Sequence, residues 1–377
     1  MTTHPASVQS VLDSILAWDP IDGPTTWDES RFESLALPLF DHQLERNVAY
    51  ARFCASRGVR SSSDLTGWSD IPAAPTDAFK LVDLSVSGAA HAARTFHTSG
   101  TTAGARGSHH FETLDVYAAA LKGPFRRWVH RSDAPARIVA LAPSPKDLPD
   151  SSLSYMLGEL VDAYGTPDSS FHVRADSGAL RLDVSSAHAA FSDAVASGTP
   201  VCVLGTAFAF VEVLDATGES WRLPDGSCVM ETGGFKGRTR EVTRDELYAG
   251  FSERMGVPRA RCVSEYSMTE LSSQSYTDNL AAHAQRSPWT PGTLRTPPWA
   301  RMEVVDPVSL EVLRGEGARG LIRWYDLANV GSVIAVQTSD VGVRLAGGGV
   351  LLEGRAPESE LRGCSLTIEE IVEASRG

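Results

Sequence analysis

The stretch Pro200-Val-Cys-Val-Leu204 is a short apolar run of the kind that forms a buried β-strand. A segment with helical periodicity follows it at 206–215. The same alternation extends over 95–265, where we predict strands at 137–141, 200–204, 228–231 and 260–264, and helices at 112–130, 151–164, 186–197, 206–215 and 243–255. Because strands that alternate with helices form parallel sheets covered by helices, we expect an α/β fold with a mostly parallel sheet.

The sequence on either side of this region has a different pattern. Before it, apolar residues at helical spacing predict helices at 6–18 and 29–57, and a proline-punctuated connector follows at 70–80. After it, a proline-rich loop at 286–299 precedes β-type runs at 301–305, 320–324, 332–337 and 349–352. We therefore expect a helical N-terminal segment packed on the main body at 1–80, an α/β core at 81–296 and a β-rich subdomain at 297–353.

The charge and cysteine content narrow the function classes. The 377 residues carry a formal net charge of −13, which argues against a nucleic acid or an anionic membrane as the partner. The five cysteines are scattered, with no pair at zinc-ligand or redox-motif spacing, and we expect Cys54, Cys202, Cys228 and Cys262 to be buried in the core. With no signal peptide and no apolar run of about 20 residues, we expect a soluble, cytoplasmic protein.

The stretch Thr95-Phe-His-Thr-Ser-Gly-Thr-Thr-Ala-Gly-Ala-Arg-Gly107 is a small, hydroxyl-rich loop between a short β-type run and a predicted helix. Glycines and hydroxyls in such a loop can present N–H and O–H groups to phosphate oxygens, and Arg106 can add a charge-assisted contact. The loop lacks the lysine of the P-loop pattern, so the sequence does not support an ordinary P-loop ATPase. On composition alone, a flexible surface loop is the competing interpretation.

Three histidines lie immediately before or just after the candidate phosphate-binding residues of this stretch. The pair His109-His110 has no Cys, Asp or Glu at a familiar metal-binding spacing, so we predict a surface or helix-entry role for it. His97 is a candidate contact for a carboxylate or a phosphate.

Four short motifs in a fixed order resemble the adenylate-forming enzymes, which include acyl-CoA synthetases, peptide-synthetase adenylation domains and luciferases. Phe96-His-Thr-Ser-Gly-Thr-Thr resembles their phosphate-binding signature and Glu231-Thr-Gly-Gly-Phe-Lys-Gly237 their glycine-rich segment near the adenine. Ser264-Glu-Tyr-Ser-Met-Thr-Glu270 is similar to their Tyr-Gly-x-Thr-Glu motif, and Thr338-Ser-Asp340 to their Thr-Gly-Asp motif. Arg355 then stands where the superfamily has a ribose-contacting arginine.

The resemblance implies ATP and Mg²⁺ as cofactors and assigns roles to residues. The phosphates would be held by Thr98, Ser99, Gly100, Thr101, Thr102 and Arg106. Gly233, Gly234 and Tyr266 would lie against the adenine, and Asp340 with Arg355 would hold the ribose. Thr269 would contact the α-phosphate and Glu270 would hold Mg²⁺, which prefers hard oxygen ligands.

Within the superfamily, the chain is most similar to the acyl-protein synthetase branch, which contains the fatty-acid ligase of bacterial bioluminescence. Asp70-Ile-Pro-Ala-Ala-Pro-Thr-Asp-Ala-Phe-Lys80 and Leu361-Arg-Gly-Cys-Ser-Leu366 carry this likeness. In that branch a cysteine near the C-terminus receives the acyl group, and Cys364 resembles it. An attacking thiolate would need a lowered pKa, for which the flanking Arg362 is suggestive; a half-buried structural cysteine is the alternative.

The implied activity is activation of a small-molecule carboxylic acid to an acyl-adenylate, followed by transfer of the acyl group to a thiol. Cys364, a carrier protein, a reductase and coenzyme A all stay open as acceptors, as does an amine in an amide-forming ligase. A non-catalytic nucleotide-binding or assembly subunit is the alternative function. The resemblance also predicts that 354–377 is a hinge followed by a truncated C-terminal mobile domain, which leaves no match for the lysine that this domain usually contributes to adenylation.

Overall fold

The computed structural model describes residues 4–98, 106–176, 179–216, 218–233, 242–357 and 362–376. The helices in this part of the chain are α1 (Ala6–Leu16), α2 (Glu29–Arg46), α3 (Val48–Ser56), α4 (Asp115–Trp128), α5 (Ser152–Tyr164), α6 (Val184–Ser197), α7 (Ala207–Asp215), α8 (Arg244–Met255), α9 (Asn279–Gln285) and α10 (Arg362–Arg376). The strands are β1 (Ala74–Pro75), β2 (Arg94–His97), β3 (Ser108–Phe111), β4 (Arg137–Pro143), β5 (Ser170–Asp176), β6 (Ala179–Leu182), β7 (Val201–Thr206), β8 (Cys228–Thr232), β9 (Cys262–Tyr266), β10 (Ser275–Thr277), β11 (Thr293–Arg295), β12 (Ala300–Val305), β13 (Arg319–Asp326), β14 (Ala335–Arg344) and β15 (Val350–Arg355).

The chain divides into two compact units. Unit 1 comprises Met1–Ala120, Met268–Gln274 and Leu294–Gly377, and unit 2 comprises Leu121–Ser267 and Ser275–Thr293. These boundaries do not follow the four segments expected from the sequence, because the N-terminal helices and the C-terminal strands belong to the same unit. Gln43 of α2 shows why: its amide donates to the carbonyl of Asn329 (2.9 Å) and accepts from the N–H of Ile334 (3.0 Å).

Unit 2 contains the predicted parallel sheet. Its strand order is β10-β9-β8-β7-β4-β5-β6, in which the β9-β8-β7-β4-β5 pairs are all parallel and the outermost strands β10 and β6 pair antiparallel. The four predicted strands are confirmed as β4, β7, β8 and β9, and the five predicted helices as α4 to α8. Apolar side chains such as Val203, Phe210 and Phe251 form the core beside this sheet.

Unit 1 contains an antiparallel sheet in the region predicted to be β-rich. Its order is β12-β13-β14-β15, and the two-residue strand β1 pairs parallel with β14. The β1 register places Pro75 opposite Gln337, so the short 3-10 turn Thr76–Lys80 begins beside Thr338. A separate antiparallel hairpin, β2–β3, also belongs to this unit.

The single helix predicted at 29–57 is two helices, and Asn47 is the reason. Its extended backbone (φ −100°, ψ 92°) ends α2, and its side chain caps α3 by accepting a hydrogen bond from the N–H of Tyr50 (3.0 Å). The Asn47 amide also donates to the carbonyl of Leu84 (2.6 Å). The prediction of an unbroken helix was wrong because helical spacing does not reveal a capping residue with a long-range partner.

Within the segment predicted as a hinge and the start of a mobile domain, Arg362–Arg376 forms α10, which packs within unit 1. Arg57 of α3 makes an ion pair with Glu370 (2.6 Å) and donates to Thr367 Oγ1 (3.2 Å), and Ile371 is fully buried. These contacts hold α10 against α3.

The cysteines are buried and free, as predicted for Cys54, Cys202, Cys228 and Cys262. In the part of the chain that the structure describes, no helix is both long and apolar enough to cross a membrane.

Candidate active site

The hydroxyl-rich loop connects β2 and β3 in unit 1. At its base, the N–H of Thr98 donates to the carbonyl of Gly107 (2.9 Å), and the N–H of Gly107 donates to Thr98 Oγ1 (2.9 Å). The guanidinium of Arg106 donates to the carbonyls of Thr98 (2.8 Å) and His97 (3.3 Å). These bonds hold Thr98 at the start of the loop and Arg106 at its end. The predicted site residues Ser99, Gly100, Thr101, Thr102 and Gly234 lie outside the described residues.

A buried carboxylate fixes the segment 268–274, which carries Thr269 and Glu270. Asp326 is fully buried and accepts hydrogen bonds from the N–H groups of Ser272 (2.9 Å), Ser273 (2.8 Å) and Ala328 (3.0 Å). It also accepts from Ser273 Oγ (2.6 Å). Burial of a carboxylate is tolerated only when hydrogen bonds satisfy its oxygens, and here three of the four bonds come from the segment itself.

Asn329 ties the same segment more directly to Glu270. Its amide donates to the carbonyls of Glu270 (3.0 Å) and Val333 (2.8 Å), and its Oδ1 accepts from Ser272 Oγ (2.9 Å). Asp326 and Asn329 together determine where Glu270 lies.

The Glu270 side chain is only 7% exposed, and its charge depends on neighbouring groups of unit 1. Burial raises the pKa of Glu270 to about 7, whereas its own N–H, Lys80 and Arg355 oppose this rise and Asp77 adds to it. No group of three or more His, Cys, Asp or Glu side chains placed to hold a metal occurs among the described residues. A single carboxylate still fits Mg²⁺, because this ion is usually bound by one or two carboxylates together with substrate phosphates.

Asp340 and Arg355, the predicted ribose-binding pair, lie opposite each other on β14 and β15. Two hydrogen bonds hold β14 next to Asp340: the Asp340 N–H donates to Thr338 Oγ1 (3.1 Å), and the Ala356 N–H donates to the carbonyl of Ser339 (2.8 Å). The two side chains that the sequence placed 15 positions apart are thus neighbours on adjacent strands.

His109 is a site residue that the sequence did not reveal, and the predicted surface role was wrong for it. It lies on β3 with 1% exposure, its ring centroid is 4.2 Å from that of Phe111, and its Nδ1 donates to the carbonyl of Thr269 (2.8 Å). Burial lowers the pKa of His109 to about 4, so the ring is neutral. Along β3 the buried residues His109 and Phe111 alternate with the less buried Ser108 and His110. This strand alternation is the sequence signal that places His109 on the buried face.

Cys364 lies in the first turn of α10, close to Thr338 of β14. Its Sγ makes a weak hydrogen bond to the carbonyl of Thr338 (3.9 Å), and the side chain is 5% exposed. It packs with the apolar residues Val305, Leu321, Val341 and Ala356. Burial raises the pKa of Cys364 to about 11, which Arg323 opposes and Asp77 enhances. The lowered pKa expected of an activated thiolate is therefore absent in this conformation; the side chain of Arg362 lies outside the described part of the chain.

Unit 2 holds the residues that the resemblance assigned to the adenine. Gly233 follows β8 with φ +70°, a backbone conformation that favours glycine, and Tyr266 at the end of β9 is 9% exposed. The residues that precede them in the sequence form a pair that the sequence did not predict: Thr232 Oγ1 donates to Glu265 on the neighbouring strand. Burial raises the pKa of Glu265 to about 7.

A second buried carboxylate lies on β8. Glu231 accepts a hydrogen bond from the Tyr248 hydroxyl (3.2 Å), and Arg244 is 3.8 Å away. Burial raises the pKa of Glu231, and Arg244, Ser264 and Tyr248 oppose this rise.

Comparisons with known proteins identify the family and the fold. The model of a family described as acyl-protein synthetase, LuxE, matches residues 4–372. The comparison with curated proteins returned no match.

Among solved structures, the chain is similar to ATP-bound MatB from Rhodopseudomonas palustris, with a TM-score of 0.50, 14% identity, and coverage of 71% of this chain and 49% of that chain. The amide bond synthetase McbA from Marinactinospora thermotolerans matches with a TM-score of 0.48, 18% identity, and coverage of 71% and 50%. The chain spans about half the length of these solved structures. The MatB match supports the α/β fold.

If Asp326 fixes the 268–274 segment, Asp326→Ala should destabilise the protein strongly. The change leaves three buried N–H groups without their acceptor, and we expect the free energy of unfolding to fall by about 3 kcal/mol or more. Urea unfolding measures the loss, and Asp133→Ala, which removes a fully exposed carboxylate that pairs with Arg126, is the control. Equal stability of the two variants would contradict the role of Asp326.

The pKa of His109 predicts a specific pH dependence of stability. The folded-state pKa of about 4 lies below the ordinary 6.5, so the unfolded chain binds a proton that the folded chain does not. The contribution of His109 to stability is complete above pH 6.5 and is lost as the pH falls toward 4. It corresponds to about 3 kcal/mol.

His109→Gln removes this titration and keeps an amide that can donate to Thr269. Between pH 7 and pH 4, urea unfolding of the wild type should therefore lose about 3 kcal/mol more than the variant loses. Parallel pH profiles for the two proteins would show that His109 is not buried in its neutral form.

Proposed function

The chain belongs to the acyl-protein synthetase (LuxE) family, and from that premise we propose that it activates a carboxylic acid with ATP and then passes the acyl group to its own Cys364. In the first step a carboxylate oxygen attacks the α-phosphorus of ATP, and pyrophosphate leaves as the bond to the β-phosphate breaks. In the second step the Cys364 sulfur attacks the acyl carbonyl, and AMP leaves.

The adenylation step is supported by the groups that unit 1 brings together. Thr98 and Arg106 lie at the base of the hydroxyl-rich loop, Glu270 is held by Asn329, and Asp340 lies opposite Arg355. Phosphoryl-group chemistry depends mainly on positioning and on stabilising charge, and these residues provide donors, a hard-oxygen ligand and a cation. In this proposal Thr98 and Arg106 contact the phosphates, Thr269 contacts the α-phosphate, and Asp340 with Arg355 holds the ribose.

Glu270 is the proposed Mg²⁺ ligand. When bound, Mg²⁺ neutralises charge on the phosphate oxygens. Two bonds position Glu270 and Thr269 for their tasks: Asn329 holds the carbonyl of Glu270, and His109 holds that of Thr269. We assign Gly233, Gly234 and Tyr266 to the adenine on the sequence resemblance.

The observation that carries the second step is the position of Cys364. Its Sγ is 3.9 Å from the carbonyl oxygen of Thr338, two residues before the proposed ribose ligand Asp340. Only a thiolate attacks well, and the pKa of about 11 keeps this thiol protonated at neutral pH. Transfer therefore requires a change around Cys364 that exposes the thiol and lets its proton pass to a base. The resulting thioester can deliver the acyl group to a carrier protein, a reductase, coenzyme A or an amine.

Adenylation is tested by ATP–pyrophosphate exchange over a panel of fatty, aromatic and amino acids. We expect the wild type to exchange with at least one acid, and Glu270→Gln to reduce that exchange 100-fold or more because the metal ligand loses its charge. Glu253→Gln, the same change at an exposed position on α8, should leave exchange unaltered. Exchange that survives in Glu270→Gln would contradict the assigned metal site.

Transfer to Cys364 is tested with a labelled acid. Cys364→Ala should retain exchange and lose the covalent label that survives denaturation, because the adenylation groups stay in place and only the acceptor is removed. Cys54→Ala, which removes another buried cysteine of unit 1, should keep the label. Label retained on Cys364→Ala would exclude Cys364 as the acceptor.

A further inference from the structure

The turn Thr76–Lys80 brings a lysine to the candidate site of unit 1. The turn follows β1, whose pairing with β14 places it beside Thr338, and its residues Thr76, Ala78 and Phe79 are buried. Asp77 and Lys80 form an ion pair (2.5 Å) in which both side chains are about two-fifths exposed. The sheet and the buried residues thus fix the turn, and the two charged side chains extend from it.

The stem of Lys80 passes the base of the hydroxyl-rich loop. A Cβ added to Gly107 would lie 3.4 Å from Lys80 Cγ and 3.0 Å from Thr98 Cγ2. The absence of a side chain at Gly107 therefore leaves room for the lysine stem next to Thr98. Lys80 also lies within electrostatic range of Glu270, as does Asp77.

The composition of the chain makes this lysine distinctive. The sequence has thirty arginines but only four lysines, at positions 80, 122, 146 and 236, and Lys80 alone falls within unit 1. Arginine has a rigid planar fork, whereas lysine has a compact charge on a flexible stem with three donors. A compact, mobile ammonium suits a contact that forms only while charge develops on a phosphate.

We propose that Lys80 is a catalytic residue of the adenylation step, contacting the α-phosphate and stabilising the negative charge that develops on its oxygens, with Asp77 holding the ammonium before ATP binds. This role rests on the proposed function. The ammonium keeps its proton throughout. The bond that forms joins the carboxylate oxygen to the α-phosphorus, and the bond that breaks releases pyrophosphate. Half-exposed ion pairs contribute little to stability, so the Lys80–Asp77 pair is not needed for folding.

The test compares Lys80→Ala with Lys122→Ala. Lys122 pairs with Glu159 (3.3 Å) and is 41% exposed, close to the 40% of Lys80, so the two changes are matched in exposure and in loss of an ion pair. Exchange is measured with an acid that the wild type activates, ATP affinity by equilibrium binding, and folding by thermal unfolding. A second assay starts from a synthetic acyl-adenylate and follows acyl transfer to Cys364.

We expect Lys80→Ala to lower kcat for exchange 100-fold or more, to change the Kd for ATP less than threefold, and to unfold at the wild-type temperature. Acyl transfer from the synthetic acyl-adenylate should stay within threefold of the wild type, because adenylation alone uses Lys80. Lys122→Ala should match the wild type in every assay.

Three results would overturn the role of Lys80: wild-type exchange in Lys80→Ala, a loss confined to ATP affinity, or an equal loss in both half-reactions. Wild-type protein that exchanges with no acid would overturn the proposed function itself, and the role of Lys80 with it.

Discussion

The hydrogen bonds between the buried Asp326 carboxylate and the N–H groups of Ser272 and Ser273 are the interaction on which the candidate site depends. They fix an irregular segment that carries Thr269 and Glu270, and they do so inside the protein, where an unsatisfied carboxylate would be costly. Asn329 extends the same network to the carbonyl of Glu270, and Gln43 extends it to α2. The N-terminal helices are therefore structurally tied to the site.

Burial gives the site its chemical character. It raises the pKa of Glu270 to about 7 and that of Cys364 to about 11, and it lowers that of His109 to about 4, so low-dielectric surroundings disfavour charge at all three positions. The net charge of −13 adds an unfavourable field for a polyphosphate. Two cations, Lys80 and Arg355, lie near Glu270 and locally offset that field. For this reason we give both residues central roles in binding ATP and in adenylation.

The sequence predicted much of the fold and supplied the candidate site residues. Apolar runs with helical segments between them revealed β4, β7, β8 and β9, because residues buried on both faces leave a strong local signal. The resemblance assigned Asp340 and Arg355 to the ribose, and the two residues lie opposite each other on β14 and β15. The roles of His109, Asp326 and Asn329 could not be predicted, since their partners lie far away in sequence: His109 and Thr269 are 160 residues apart. The raised pKa of Cys364 also depends on tertiary packing, which a flanking arginine does not disclose.

In the proposed reaction one chain forms an acyl-adenylate and then acylates its own Cys364. A rapid-quench single turnover with labelled acid, excess enzyme and ATP–Mg²⁺ measures both steps. We expect acyl-AMP to accumulate first and to decay at the rate at which a thioester on Cys364 appears. A thioester that forms without preceding acyl-AMP, or acyl-AMP that persists with no label on the protein, would contradict it.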